Sequence, residues 1–316
     1  MKKIILLFAS LLMVLMLVGC EGASTSGYRI GIVQLANHPA LNAATEGFED
    51  ALKEKLGDEV AFDYQNASGE SANCATIVNG FISDGVSLIF ANATSPLQAA
   101  AAATDSIPIV GTSITHYGTA LGIDNWTGST GRNITGSSDL APLDQQAAII
   151  KELFPDAKKV GLLYCTSEAN SIYQNQVIEP CLKELGFEVQ WFGFSDSNDI
   201  TSVTENACAW ADVMYIPTDN VAADNTEAIL NVLVRSNVPA VTGEEGICAG
   251  CGVATLSINY YDLGKLAGEM AYDILVNGAD PSTMEIKLLD NLSKKYSKEN
   301  CEKFNITVPE GYEVIE

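Results

Sequence analysis

The sequence predicts an α/β protein made of two Rossmann-like lobes, each built on a parallel sheet, with a ligand cleft between them. Two observations carry that prediction. Strand and helix patterns alternate almost without interruption from Tyr28 onward, as a parallel sheet covered on both faces requires. The second half also repeats the first. Ile30-Gly31-Ile32-Val33 matches Val160-Gly161-Leu162-Leu163, and Leu56-Gly57 with Val60-Ala61-Phe62 matches Leu185-Gly186 with Val189-Gln190-Trp191. Thr94-Ser95-Pro96 matches Thr218-Asp219-Asn220, and Ile107-Pro108-Ile109-Val110 matches Val238-Pro239-Ala240-Val241, at offsets of about 125 to 131 residues.

Taken in order, the chain begins with Lys2 and Lys3 followed by an apolar run from Ile4 to Val18. That run is short for a membrane span and suits a signal-peptide core, so residues 1–19 read as a signal peptide. Leu17-Val18-Gly19-Cys20 resembles the lipobox of bacterial lipoproteins, which implies a diacylglyceryl group on Cys20. Two acyl chains hold a protein on a membrane where one does not. Residues 20–27 are small and polar, as a lipidated tether would be.

Tyr28 to Leu35 follows as a buried strand rich in β-branched residues, and Pro39 to Leu56 as a helix with Leu41, Phe48, Leu52 and Leu56 at helical spacing. Val60 to Tyr64, Ser87 to Phe90 and Ile107 to Val110 read as strands, with helices over Ala72 to Ser83 and Leu97 to Ala103. The Gly-rich stretch Thr127 to Gly136 reads as a crossover turn between lobes. In the second half the strands are Val160 to Tyr164, Phe187 to Phe192, Val213 to Ile216, Ala240 to Val241 and Val253 to Ile258. The helices there are Ile172 to Leu185, Ile200 to Trp210, Asn220 to Ser236 and Leu263 to Val276. The first lobe is therefore assigned to 28–138 plus about 262–280, and the second to 139–261 plus about 281–316.

Composition narrows the function. Once Lys2 and Lys3 leave with the signal peptide, 15 basic residues face 40 acidic ones, a net charge of −25. Such a charge repels phosphate backbones and anionic lipids, so no nucleic-acid partner is expected, and membrane contact is expected through the lipid anchor alone. Seven cysteines follow Cys20, an odd number. Cys248-Ala249-Gly250-Cys251, set among Gly246 and Gly252, reads as a turn holding a local disulfide or two structural thiols; Cys74 and Cys208 read as helical core residues. With only His38 and His116, far apart in sequence, a metal site is not expected, and neither is a cofactor. No Walker loop, Gly-x-Ser-x-Gly elbow or catalytic set appears, so the chain reads as a binder and not an enzyme.

In open parallel sheets, ligands sit outside the C-terminal ends of the strands. The loops there contain His38 and Pro39, Thr94 and Ser95, and Thr115 in the first half. In the second half they contain Ser167, Glu168, Asn170 and Ser171, then Thr218, Asp219 and Asn220, then Glu244 and Glu245. Hydroxyls and the free N–H groups of helix starts suit a carboxylate, and the acids suit an ammonium. No Arg or Lys stands in these loops to recruit a phosphate. A small zwitterion fits. Tyr117, Trp126, Tyr164, Tyr173 and Tyr260 lie near the same loops as rings to stack on a ligand.

Several stretches resemble one known family across Tyr28 to Pro281. They are Gly31-Ile32-Val33-Gln34-Leu35 with His38-Pro39-Ala40-Leu41-Asn42, Asp63-Tyr64-Gln65-Asn66-Ala67, Asn133-Ile134-Thr135-Gly136-Ser137-Ser138-Asp139-Leu140, Glu168-Ala169-Asn170-Ser171, Pro217-Thr218-Asp219-Asn220 and Asn259-Tyr260-Tyr261-Asp262-Leu263-Gly264. The chain resembles the substrate-binding lipoproteins of ABC importers of the tryptophan/tyrosine type, with the type I periplasmic-binding-protein fold. The resemblance implies an extracytoplasmic lipid-anchored protein that closes on an aromatic amino acid by hinges near Ser137 to Leu140 and Asn259 to Asp262. It also implies an ABC permease and its ATPase as partners, and it adds Tyr260 to the ligand-facing set. Where that family has Thr-Asp-Pro, this chain has Thr115-His116-Tyr117-Gly118. The alternatives are a receptor for another small solute, nucleoside-like or another amino acid, a LacI-like sensor pair, which no helix-turn-helix before Tyr28 supports, and a two-lobed α/β enzyme.

Overall fold

The computed structural model describes residues 27–315; the signal peptide, Cys20 and most of the tether lie outside them. Two sheets organise the chain. The first contains β1 (Tyr28–Gln34), β2 (Val60–Asn66), β3 (Leu88–Asn92), β4 (Ile109–Ile114) and β5 (Ile134–Ser138), ordered β5-β4-β3-β1-β2 and parallel. The second contains β6 (Lys159–Cys165), β7 (Glu188–Phe194), β8 (Val213–Ile216), β9 (Ala240–Thr242) and β10 (Ala254–Ile258), ordered β10-β9-β8-β6-β7. The two orders are the same, so the repeat seen in the letters is a repeat of topology.

The helices follow from burial. In the first lobe α1 (Pro39–Leu56) and α11 (Tyr260–Leu275) cover one face, where Phe48 stacks on Phe90 at 3.7 Å among Ile30, Ile32, Leu52 and Ala267. The opposite face carries α2 (Ser71–Asp84) and α3 (Thr94–Ala103) over Val33, Val78, Phe81, Ile89 and Leu97. The short α4 (Tyr117–Leu121) follows β4. The alternation of Ile30 and Ile32 against Val33 places successive β1 residues on opposite faces, as the strand period demands. In the second lobe α5 (Leu143–Leu153), α6 (Ala169–Glu184), α7 (Ile200–Cys208), α8 (Asn220–Asp224), α9 (Thr226–Ser236) and α10 (Glu245–Cys251) surround a core that includes Leu162, Phe194, Tyr215 and Leu233.

The chain passes between the lobes after β5, through Asp139 to Pro142, and again between β10 and α11 at Asn259. A third passage differs from the sequence-based boundary. β11 (Lys287–Leu288) pairs with β5 of the first sheet, whereas β12 (Leu292–Tyr296) pairs antiparallel with β10 of the second. Residues 281–288 thus go with the first lobe, and only the part from β12 through α12 (Lys298–Lys303) and β13 (Glu313–Val314) goes with the second.

Three local expectations change. The Gly-rich stretch Thr127 to Gly136 leads into β5 within the first lobe and does not cross. The segment Asn220 to Ser236 breaks at Asn225 into α8 and α9. The Cys248 region is helical and not a turn, because the Glu244 carboxylate accepts from the N–H groups of Gly246 and Ile247 and starts α10. Gly250 serves packing there: a Cβ on it would strike the side chain of Thr226. All seven described cysteines are free thiols, so Cys248 and Cys251 form no local disulfide; Cys74 and Cys208 are buried in α2 and α7.

Candidate functional site

The loops at the C-terminal ends of β1, β4, β6, β8 and β9 converge on a narrow cavity between the lobes, with free space of about 10 Å³. That is room for about one water, so a solute the size of an amino acid enters only as the lobes part. Its two sides differ in chemistry.

The first lobe supplies His38, Ala40, Leu41, Ser113 and Thr115. His38 is the N-cap of α1, yet its side chain does not cap the helix, and Pro39 occupies the first turn. The N–H groups of Ala40 and Leu41 therefore have no intrahelical acceptor and sit at the positive end of an 18-residue helix. Ser113 lies at an irregularity in β4 with φ 55°, a left-handed conformation that costs a non-glycine residue energy. A bulge of this kind re-aims a side chain. The Ser113 hydroxyl and His38 Nδ1 are both buried, at 8 % and 7 % exposure, and neither has a hydrogen-bond partner among the described residues.

The second lobe and the crossing segments supply acids. Asp219 Oδ2 accepts from Cys165 N at 2.7 Å and Ser171 Oγ at 2.7 Å, and Oδ1 accepts from Ala222 N at 2.9 Å. Asp139 Oδ1 accepts from Thr115 Oγ1 at 3.2 Å and Oδ2 from the Tyr260 hydroxyl at 2.9 Å. Burial pushes the Asp139 carboxyl up to about 6 and Glu244 to about 7. Asp219 is raised as well, by burial first and then by the negative Glu168 nearby. Ionised carboxylates in such a place are held at a cost that a cationic group would offset.

Of the residues singled out in the sequence, His38, Thr115, Asn170, Thr218, Asp219, Asn220, Glu244 and Tyr260 line this cavity. Ser171 stands behind it as a donor to Asp219. Ser95, Ser167 and Glu168 line a wider outer groove of about 370 Å³, which shares Asn220 with the inner cavity. Pro39 faces a separate recess beside Tyr261. Thr94 lines none of these; it is buried at the start of α3. Glu245 is drawn away by Lys295 at 2.6 Å and leaves Glu244 as the acid at that loop. Ala40, Leu41, Asp139, Ala223 and Ile247 are additions, and Ser113, a hydroxyl the sequence offers after the strand read at Ile107 to Val110, lines the cavity too.

The aromatic residues divide differently from expectation. Only Tyr260 reaches the cavity. Tyr117 is core, stacked on Trp126 with its hydroxyl donating to Ser137 O. Tyr164 meets Trp191 edge-on. Tyr173 instead crosses the cleft to stack on His116, rings 4.4 Å apart and 3° from parallel. With the contact of His38 Nε2 to Asn220 Oδ1 at 3.2 Å, that stack holds the lobes together in a closed arrangement. Among the described residues no group of three or more His, Cys, Asp or Glu is placed to hold a metal ion.

Comparison with known proteins gives the family and the fold. A family model described as ABC transporter substrate binding protein matches residues 29–314. A tyrosine-binding protein of Clostridioides difficile is 34% identical over 306 residues, covering 92% of this chain and 88% of the relative. A Streptococcus pneumonia ABC domain solved in complex with L-Trp superposes with a TM-score of 0.87 at 28% identity, covering 92% of this chain and 100% of that one. The ligand-free, open structure of a Clostridium difficile substrate-binding protein with adhesive properties gives a lower TM-score, 0.70, at a higher identity of 32%, over 92% and 99% of the two chains. The lower score of the structure described as open, against the order of identities, fits lobes that are closed in this chain. The fold is that of the type I periplasmic-binding proteins, and the chain belongs to the ABC transporter substrate-binding protein family.

Proposed function

We propose that this protein is an extracytoplasmic receptor, held to the membrane through a lipid on Cys20, that closes on a free aromatic α-amino acid and delivers it without chemical change to an ABC permease and its ATPase. The observation that carries the ligand class is the polarity of the cavity. Unpaired donors at the start of α1 and at Ser113 face buried carboxylates at Asp139, Asp219 and Glu244. An α-amino acid has one end for each side. Its carboxylate lies against the N–H groups of Ala40 and Leu41, as anions do at helix starts. Its ammonium lies toward the acids. Leu41, Ala223, Ile247 and the ring of Tyr260 are the apolar groups of the lining that a side chain would meet. The choice of an aromatic side chain rests on the relatives, one a tyrosine-binding protein and one solved with L-Trp.

The test is calorimetric titration of the twenty amino acids into the mature chain after unfolding and refolding, which strips carried-over solute. Tyrosine or tryptophan is expected to bind most tightly and to be recovered unchanged. If no amino acid binds below about 100 μM, or about −5.5 kcal/mol, the assignment fails.

A further inference from the structure

We propose that His38 reads the ammonium of the bound solute through a bare Nδ1, and that Glu168 and Asn220, across the cleft, are positioning residues that fix this tautomer when the lobes close. The assignment rests on the amino-acid reading above and follows from hydrogen-bond direction together with burial.

Glu168 is the fixed point. Oε2 receives Asn170 Nδ2 at 2.9 Å and Asn220 N at 3.1 Å, and Oε1 receives Val221 N at 2.9 Å. Every one of these is an N–H, so the carboxylate acts purely as an acceptor. The Asn220 side chain also touches Oε2, at 2.7 Å, and must present its Nδ2 there, because its oxygen would face another acceptor. The Asn220 Oδ1 is thereby turned toward His38 Nε2, 3.2 Å away on the other lobe. An amide oxygen only accepts, so Nε2 carries the proton. A neutral imidazole protonated at Nε2 has a lone pair at Nδ1. Burial favours the neutral ring by lowering the His38 pKa, and the start of α1 disfavours a cation there.

Nδ1 is also one of two cavity-wall atoms left without a partner among the described residues, the other being the Ser113 hydroxyl, and its side chain is only 7 % exposed. A buried acceptor of this kind needs a donor. The solute's carboxylate cannot serve. The ammonium can, and its position fits: amino and carboxyl groups share one carbon, so an acceptor beside the start of α1 is where the ammonium falls when the carboxylate occupies the helix N–H groups. The Nε2 proton finds its acceptor only on the opposite lobe, so closure and ligand reading are parts of one arrangement.

The chain has two histidines, which makes the test direct. In mature protein carrying 15N-histidine and saturated with L-tyrosine at pH 7, imidazole spectra are expected to show His38 protonated at Nε2 and its Nδ1 resonance moved by the ligand; His38→Leu assigns the signal. In calorimetry, the preference for L-tyrosine over 3-(4-hydroxyphenyl)propionate, which lacks the amine, is expected to fall about tenfold in His38→Leu, the size of a lost bond to a charged group. Asn220→Ala should lower the same preference and admit the Nδ1-protonated tautomer. His38→Gln keeps an acceptor and should keep most of the preference, which separates ligand reading from a folding defect. A His38 imidazolium or Nδ1–H form in the wild-type complex, or an unchanged preference in folded His38→Leu, overturns the assignment and leaves the amino-acid reading standing. Failure of the wild type to bind either L-tyrosine or L-tryptophan overturns both.

Discussion

Replacing Asp139 by Asn is expected to make the ligand-free protein more stable and a worse receptor. Asp139 lies in the first crossing between lobes, 5 % exposed, and burial raises its carboxyl from 3.8 to about 6. A difference of about 2 pH units corresponds to about 3 kcal/mol that the folded state gives up to keep the group ionised. An acid whose folded pKa lies above its unfolded value holds more protons folded than unfolded between the two, so stability falls as pH rises from about 4 to about 6 and the loss is complete above that. Asn removes this loss. It also forces one hydroxyl, of Thr115 or Tyr260, to turn from donor to acceptor, at about 1 kcal/mol. The balance is about 2 kcal/mol in favour of the variant at pH 8, or a Tm higher by about 4 °C, and no gain at pH 4, where the wild-type carboxyl is protonated. Affinity for L-tyrosine should fall about 10- to 100-fold, as for loss of a buried charged partner. Differential scanning calorimetry at both pH values and titration calorimetry at pH 8 measure these effects. A variant no more stable than wild type at pH 8, or an undiminished affinity, refutes the reasoning.

An ammonium brought among Asp139, Glu244 and Asp219 lowers their pKa values, so binding should release protons and affinity should rise as pH rises through about 6 and about 7; titrations in buffers of different ionisation enthalpy give the proton count. His116→Ala removes the stack on Tyr173 and should weaken ligand binding by about 0.5–1.5 kcal/mol, with less compaction in small-angle scattering on adding ligand. Gly47→Ala or Gly264→Ala should destabilise the first lobe by more than about 2 kcal/mol in urea unfolding, because each Cβ would strike backbone of the facing helix, at Tyr261 or Ala44. Cys20→Ala should move the protein from the membrane fraction into the soluble extracytoplasmic fraction, and unchanged fractionation would refute the anchor.

Elements whose signal is local were legible in the letters. β1 and β6 stand out because a strand buried on both faces needs a β-branched or apolar residue at nearly every step, and Ile30 to Val33 and Val160 to Leu163 provide them. The loops of the site were found by topology without knowing any contact. What escaped was set by long-range packing. Gly250 looked like a turn residue and is instead the place where Thr226 presses on α10. The left-handed φ of Ser113 comes from a register shift against β5, which no residue type announces. Asp139 directly follows β5, which the sequence reads as a crossover turn and not a strand, so the rule that found the other residues passes over it; its burial by Thr115 and Tyr260 depends on α11 returning to the first lobe. Tyr117 and Trp126 show the reverse error, since an aromatic near a binding loop has the same letter whether it faces ligand or core.

The repeat also explains why the cleft is polarised. Corresponding loops in the two halves have diverged in what satisfies their helix starts. After β1, α1 begins with no side-chain cap, whereas after β6 stands Glu168, whose carboxylate takes the N–H groups of Asn220 and Val221. After β3, α3 begins at Ala93 without a cap, whereas after β8 Asp219 caps α8. After β4 the sequence holds Ser113 and Thr115, whereas after β9 Glu244 caps α10. The second lobe fills the starts of α8 and α10 with its own carboxylates and faces the cleft as an acceptor wall. In the first, α1 and α3 are left open, and α4 is capped by the ring of His116 and not by a carboxylate. Two identical halves would offer the same charge to both ends of a solute and suit a symmetric ligand. This division suits one with opposite charges a single carbon apart, and it rejects a second carboxylate, which would be pressed against Asp219 and Glu244. Aspartate and glutamate should therefore be the amino acids the cleft excludes most strongly, even though both are small enough to enter.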